Sequence, residues 1–258
     1  MERIETPAGV AVSFDRWGSG PPLVLVHGAF SDHDSNWELV KPLWEKRFTG
    51  YAVARRGRGE TDATQGHGLE DEGGDVAAVI RSIGEPVFLL GHSYGAHTAL
   101  LAAAEAPSRV RKLVLYEPVW PHLVSADAMR PLEALARAGD WDALCVTFFR
   151  DLLQVPAAEV DALRASELWP PIVGDAEASL GDIRAISRYA FRAERFGGLR
   201  VPVLLQTGTE SPPELYVTDA LAAALPDARV EQLRGQAHEG MTTAPEMYAD
   251  AVARFLLS

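Results

Sequence analysis

Ser93 lies in Gly91-His92-Ser93-Tyr94-Gly95, directly after an apolar run at 87–90 and directly before an Ala- and Leu-rich stretch at 94–105. A strand that turns sharply into a helix exposes the side chain at the apex, and small flanking residues permit the turn. The competing role for such a serine is a helix N-cap after a buried strand. A hydroxyl is a weak nucleophile, so the chemical reading requires a base within hydrogen-bond reach. Of the seven histidines, His238 in Gly235-Gln236-Ala237-His238-Glu239-Gly240 occupies the loop between the last apolar run and the last helical stretch, the loop able to return to Ser93. The base in turn needs a carboxylate to fix its tautomer and stabilise the imidazolium. Glu117, in Leu115-Tyr116-Glu117-Pro118, and Glu210, in Thr207-Gly208-Thr209-Glu210-Ser211-Pro212, each follow an apolar run, and residue type alone leaves both open. Attack on a carbonyl also needs two backbone donors for the developing oxyanion. The Tyr94 amide is one. The second is expected in His27-Gly28-Ala29-Phe30, where the glycine lets the backbone approach; Ala29 is the first choice and Phe30 the second.

These residues need a scaffold of strands and helices in alternation. Strands are expected at 10–17, 23–26, 51–54, 86–90, 112–116, 201–206 and 228–233. Helices are expected at 36–47, 75–83, 94–105, 214–225 and 243–257. Short runs buried on both faces with helices between them describe a parallel sheet. From 119 to 199 apolar residues recur at helical spacing without a convincing strand, as at 129–138, 141–153 and 157–168. A helical insertion there would sit over the C-terminal strand ends, where open α/β sheets bind ligands, and form a lid. Its aromatic residues include Trp120, Trp141, Phe148, Phe149 and Trp169, with His122 beside the first. Trp120 and Trp169, with Phe30 from the core, are the expected pocket walls.

Composition narrows the partners. The chain has 258 residues, and 24 Lys and Arg against 36 Asp and Glu give a formal net charge of −12, which disfavours nucleic acid and anionic membranes. A single cysteine excludes an intramolecular disulfide and a thiolate zinc cage. Residues 1–7 contain neither a basic nor an apolar leader segment, and no apolar stretch reaches the roughly 20 residues of a membrane span. A cytoplasmic location is expected. No dinucleotide fingerprint, phosphate loop or metal-ligand spacing occurs, so neither cofactor nor metal is expected. Arg55, Arg56 and Arg58 form a local cationic cluster, the one place where an anionic substrate would be an exception.

The His27-Gly28-Ala29-Phe30 loop, the Arg55-Arg56-Gly57-Arg58-Gly59 turn, the Gly91-to-Gly95 motif and the late His238 together resemble the α/β-hydrolase superfamily over nearly the whole chain. The resemblance implies an α/β-hydrolase fold: a mostly parallel eight-stranded sheet with helices on both faces and a helical cap inserted after the sixth strand. The core would be 1–118 and 200–258, and the cap 119–199. It further implies a triad in the chain order Ser, acid, His. Two departures stand out. Ala54 occupies a place where the family commonly has Asp, and Gly208-Thr209-Glu210-Ser211 has serine where the usual acid would fall. Haloalkane dehalogenases, coelenterazine luciferases and zearalenone lactone hydrolases carry a Glu after the sixth strand, and Glu117 is similar to it in position. Glu117 is therefore preferred to Glu210.

A serine nucleophile implies an acyl-enzyme, which points to esters or lactones of a neutral, partly apolar small molecule. Carbon–carbon bond hydrolysis, perhydrolysis and lyase chemistry are alternatives on the same triad. A non-catalytic ligand-binding protein is the alternative from another class; it would be expected to lack the serine or the histidine.

Overall fold

The computed structural model describes residues 1–64, 66–155 and 157–258. Eight strands form one sheet: β1 (Glu2–Glu5), β2 (Ala11–Gly18), β3 (Pro22–Val26), β4 (Thr49–Val53), β5 (Val87–His92), β6 (Val110–Tyr116), β7 (Val203–Gly208) and β8 (Ala228–Leu233). Their spatial order is β1-β2-β4-β3-β5-β6-β7-β8. β1–β2 and β2–β4 pair antiparallel, and all other pairs are parallel. The helices are α1 (Lys41–Trp44), α2 (Leu69–Ser82), α3 (Tyr94–Glu105), α4 (Ala126–Ala138), α5 (Trp141–Thr147), α6 (Ala157–Arg164), α7 (Trp169–Gly174), α8 (Ala176–Ser187), α9 (Thr218–Ala224), α10 (Gly240–Thr243) and α11 (Pro245–Leu257). Among the described residues, no helix is long and apolar enough to cross a membrane.

The central strands are buried on both faces because their side chains alternate between two cores. Val24 and Val26 of β3, Leu89 of β5, and Leu113 and Leu115 of β6 pack with α2, α3 and the helices between β6 and β7. Leu23, Leu25, Phe88, Leu90 and Val114 pack on the opposite face with Trp37, Trp44 and the α11 residues Tyr248, Val252 and Phe255. A one-residue slip in any of these strands would exchange the two sets, so the register is fixed by both faces at once. All parallel strands therefore end at one edge, and Ser93, Glu117 and His238 follow the ends of β5, β6 and β8.

Several elements differ from expectation for a common reason. The helix expected at 36–47 is reduced to α1, because Asp32 Oδ1 accepts from the Asp34 and Ser35 amides and Pro42 lacks a donor. The helix expected at 75–83 begins at Leu69; Glu72 and Asp75 are buried on its inner face and interrupt the apolar pattern. Helix α8 was hidden in the same way, since Ser179 and Asp182 are buried. The stretch 141–153 splits into α5 and a π-helical turn at Phe148–Leu152, where the Leu153 amide bonds the Phe148 carbonyl. The expected helix at 214–225 shortens to α9. Strand β1, at the sheet edge and mostly exposed, carries too little apolar pattern to be read from sequence.

Candidate active site

Three of the four non-glycine residues with positive φ among the described residues meet at this edge: Phe30 (57°), Ser93 (54°) and Glu117 (47°). Each such conformation costs on the order of 1–3 kcal/mol and persists only where its surroundings enforce it. At Ser93 the enforcement is visible. The Ser93 amide donates to the Tyr116 carbonyl at 2.8 Å, and α3 begins at the next residue. A Cβ at Gly91 would overlap the Gly95 carbonyl, and one at Gly95 would overlap the Val26 and His27 carbonyls. Both glycines are thus required by close backbone approach, and the N-cap alternative does not describe Ser93, whose side chain makes no cap hydrogen bond.

Glu117 is fully buried. Its Oε2 lies 2.7 Å from His238 Nδ1, while Oε1 accepts from the Gly208 amide at 2.7 Å and the Thr207 hydroxyl at 3.1 Å. Burial pushes this carboxyl up, but the His238 hydrogen bond and charge and the Gly208 amide outweigh it and hold Glu117 below the usual carboxylate range. Burial pulls the His238 imidazole down, and Glu117 more than reverses that, holding it above its ordinary value. Glu210 stands elsewhere: it is exposed, and its carboxylate accepts from the Thr209 hydroxyl at 3.0 Å.

The His238 loop is held from several sides. The Tyr116 hydroxyl donates to the Ala237 carbonyl and accepts from the Gly240 amide at 3.1 Å. His92 Nε2 donates to the His238 carbonyl at 3.0 Å, and the His92 ring lies 4.7 Å from that of His238. On the other side the Tyr216 ring stacks on His238 at 5.5 Å and 18°. Tyr116 and His92 were not singled out in the sequence, since a strand-end tyrosine and a motif histidine carry no signal for holding a distant loop.

The loop after β3 is bound as tightly. Gly28 donates to Asn36 Oδ1 at 3.1 Å, and Arg55 donates from Nε to the His27 carbonyl (3.0 Å) and from Nη2 to the Gly28 carbonyl (2.8 Å). The Phe30 amide donates to Ser179 Oγ at 2.6 Å, so it is already committed. Of the two donors expected in this loop, Ala29 is the one left to face a ligand.

Ala29, Ser93 and Tyr94 line a cavity of about 40 Å³ whose other walls include Trp120, Leu123, Val124, Phe148, Leu152, Ile183 and Ile186. Neither Arg nor Lys lines it among the described residues. Trp120 and Val124 line both this cavity and a more open one of about 430 Å³, bounded also by His122, Met129, Tyr189 and Phe191. Trp120 thus stands where a pocket wall was expected. Trp169 does not: it is buried away from the cavity, its indole donating to Asp142 Oδ1 at 2.7 Å and its ring 6.3 Å from Phe149. Phe30 acts one layer back, its ring 4.4 Å from that of Phe148, which does line the cavity.

Arg55, Arg56 and Arg58 offer no anion site. Arg55 is bidentate to Asp182 and also bonds Glu72 (3.0 Å); Arg58 is bidentate to both Asp182 and Asp175; Arg56 is bidentate to Asp75. Three guanidiniums are matched by four carboxylates, which corrects the expectation of a local cationic exception. Among the described residues, potential metal ligands approach within 4.8 Å in two groups, His92-His238-Glu239 and His67-Glu72-Asp182. In the first, one nitrogen of each histidine is committed, His92 Nε2 to the His238 carbonyl and His238 Nδ1 to Glu117; in the second, the Arg55 guanidinium bonds both carboxylates and would repel a cation.

The sequence profile of the Alpha/beta hydrolase family matches residues 23–253. The chain is 29% identical over 268 residues to 2-(acetamidomethylene)succinate hydrolase of Mesorhizobium japonicum, covering 93% of this chain and 89% of that one. Among solved structures, an alpha/beta hydrolase from Sphaerobacter thermophilus superposes with a TM-score of 0.85 at 29% identity, over 99% of this chain and 100% of that chain. The enol-lactonase from Burkholderia xenovorans shares the fold with a TM-score of 0.81 at 20% identity, both chains being covered completely.

Proposed function

The chain belongs to the Alpha/beta hydrolase family, and from that premise we propose that it cleaves small neutral carboxylic esters or lactones through an acyl-enzyme on Ser93. The observation that carries the reading is the 2.7 Å contact between the buried Glu117 carboxylate and His238 Nδ1 at the same sheet edge as the strained Ser93. With Nδ1 hydrogen-bonded to Glu117, His238 Nε2 is the nitrogen left to take the Ser93 proton. Ser93 Oγ then attacks the carbonyl carbon, and the oxyanion is stabilised by the Ala29 and Tyr94 amides. His238 returns its proton to the leaving alkoxide, and water, activated by the same histidine, hydrolyses the acyl-enzyme. The two halves of the reaction consume one water and leave an acid and an alcohol, or a hydroxy acid from a lactone.

The cavity supports the substrate class. Apart from Ser93 and the arginine-paired Asp182 its walls are largely apolar, and about 40 Å³ corresponds to room for about three waters at ~10–15 Å³ each, an acyl group near the size of acetyl. The alcohol part would occupy the more open cavity beyond Trp120 and Val124. A dicarboxylate such as the one named for the Mesorhizobium relative finds no cation in the lining described here. The segment 119–199 acts as the cap over the core of 1–118 and 200–258. Reaction with a fluorophosphonate probe is the test. We expect one adduct by intact mass on the wild type and none on Ser93→Ala; an unlabelled wild type, or equal labelling of both, refutes the serine-hydrolase reading.

A further inference from the structure

Helix α8, in the segment between β6 and β7, reaches the loop after β3 through one fully buried hydroxyl. Ser179 Oγ accepts from the Phe30 amide at 2.6 Å and from Arg58 Nη2 at 2.9 Å, and donates to Asp175 Oδ2 at 2.6 Å. A serine hydroxyl has one proton and two lone pairs, and all three are used, so its orientation has no freedom left. Arg58 and Asp175 are themselves joined by two further bonds of 2.9 Å, which makes the acceptor a fixed point. The residue it holds is the one whose φ of 57° needs enforcement, and the bonded N–H belongs to the Ala29–Phe30 peptide, the one that follows the Ala29 amide.

We propose that Ser179 is a positioning residue for the oxyanion loop: by fixing the Phe30 amide it holds the strained turn that follows Ala29, and so completes the setting of the Ala29 amide, whose own peptide is held at the Gly28 carbonyl by Arg55. This deepens the proposed hydrolase and rests on it. Other ties belong to the core: Asn36 accepts from the Gly28 amide, Arg55 donates to the His27 and Gly28 carbonyls, and Ser31 Oγ donates to the Gly28 carbonyl at 3.2 Å, the bonds on that carbonyl acting on the peptide that carries the Ala29 amide. Ser179 ties the next peptide, through the Phe30 amide, and it comes from the cap. Formation of the oxyanion hole is therefore coupled to the seating of α8: when α8 withdraws, Phe30 loses its acceptor and the strained turn relaxes. The cap then does more than enclose substrate, since a displaced cap leaves Ser93 with a misdirected second donor. Donor misplacement of about 1 Å costs on the order of 100-fold in rate.

The test uses the full chain with p-nitrophenyl acetate and a phenylboronic acid, which forms a tetrahedral adduct on an active serine. For Ser179→Ala we expect kcat to fall about 10- to 100-fold with KM within about twofold, and boronate affinity to fall in parallel with kcat. Residue-resolved amide exchange on the wild type gives a second reading that needs no variant: the Phe30 amide should exchange at least about 100-fold more slowly than the Ala29 amide. A Ser179→Ala enzyme with kcat within about twofold of wild type, or a Phe30 amide as labile as that of Ala29, overturns the proposal. A wild type without Ser93-dependent turnover overturns the functional reading and this inference together, whereas failure in Ser179→Ala or in the exchange pattern alone leaves the functional reading standing.

Discussion

Two buried ionic assemblies lie near the C-terminal ends of the strands, and they differ in whether a proton can move. The first is a single pair, Glu117 with His238, whose imidazole is still partly accessible. The second joins Arg55 and Arg58 to Glu72, Asp175 and Asp182, with every guanidinium oriented by at least one bidentate contact. An arginine does not titrate in the working range of a protein, so the guanidinium–carboxylate contacts hold geometry without exchanging protons, and the one histidine at that assembly, His67, lies against Glu72 at 2.9 Å, away from Ser93. A histidine can do both. The same burial that makes Glu117–His238 a candidate for chemistry makes the arginine cluster a rigid frame: it pins Tyr94 through Glu72 (3.0 Å), the β3 loop through Arg55, and α8 through Arg58.

The comparison breaks most sharply under paired substitutions. Glu117→Gln keeps the side-chain shape but loses the charge that stabilises the imidazolium; kcat on an activated ester should fall by on the order of 10³–10⁴ with little change in thermal midpoint. Glu210→Gln should leave kcat within about twofold, because that carboxylate is exposed and away from His238. Asp182→Ala leaves two buried guanidiniums without their shared acceptor, and unfolding free energy should drop by about 3–5 kcal/mol. Thermal melts and initial rates on the three variants decide the matter; a Glu210→Gln loss exceeding that of Glu117→Gln would reverse the assignment of the acid.

Acidification separates the assemblies by pH window. The base must be neutral, and Glu117 holds His238 above its ordinary value of 6.5, so kcat/KM should rise with pH through a midpoint above 6.5 and fall about tenfold per unit below it. For Glu72, burial pushes the carboxyl up, but Arg55 and His67 outweigh it and bring it from 4.5 down to about 2. A depressed carboxyl contributes stability that is present above its unfolded value and lost as pH falls through the folded one. That contribution is complete above 4.5 and disappears toward about 2. Activity should therefore be largely gone while Glu72 still stabilises the fold, as a pH series of kcat/KM beside thermal midpoints would reveal. Coincident loss of both would mean that one assembly governs activity and folding alike.

The two assemblies were unequally legible in the sequence. Ser93 announced itself because the turn demands glycine at 91 and 95, and His238 because only one loop follows the last strand. Glu117 needed the family resemblance to be separated from Glu210. The arginine cluster was read backwards, as a cationic patch, because its carboxylate partners lie 17 to 127 positions away and nothing local marks the pairing. For the same reason the first turns of α2 and the whole of α8 carry no helical signature: buried Glu72, Asp75 and Asp182 interrupt the apolar spacing that marks a packed helix face. The strand series was readable because burial on both faces leaves uninterrupted apolar runs. Trp169 was misplaced because helical aromatics give no indication of which neighbour they meet.

The smallest expected effect concerns the wall between the two cavities. Trp120 contributes to both, and it is fixed from behind, its amide donating to the Leu215 carbonyl at 2.8 Å while Val119 bridges Tyr216. Its indole meets the His122 and Phe191 rings and, among the described residues, makes no hydrogen bond to either ionic assembly, so Trp120→Ala should alter shape alone. Removing the indole would open the cavity of about 40 Å³ into that of about 430 Å³. Each methylene accommodated in an apolar pocket is worth about 1–3 kcal/mol in discrimination. If only one of the four extra methylenes of p-nitrophenyl hexanoate is newly seated, the ratio of its kcat/KM to that of the acetate should already rise by at least about tenfold, with the pH midpoint of His238 unmoved. An unchanged ratio would place the acyl group somewhere other than the inner cavity, and a shifted pH midpoint would show that the wall and the Glu117–His238 pair are one structure and not two.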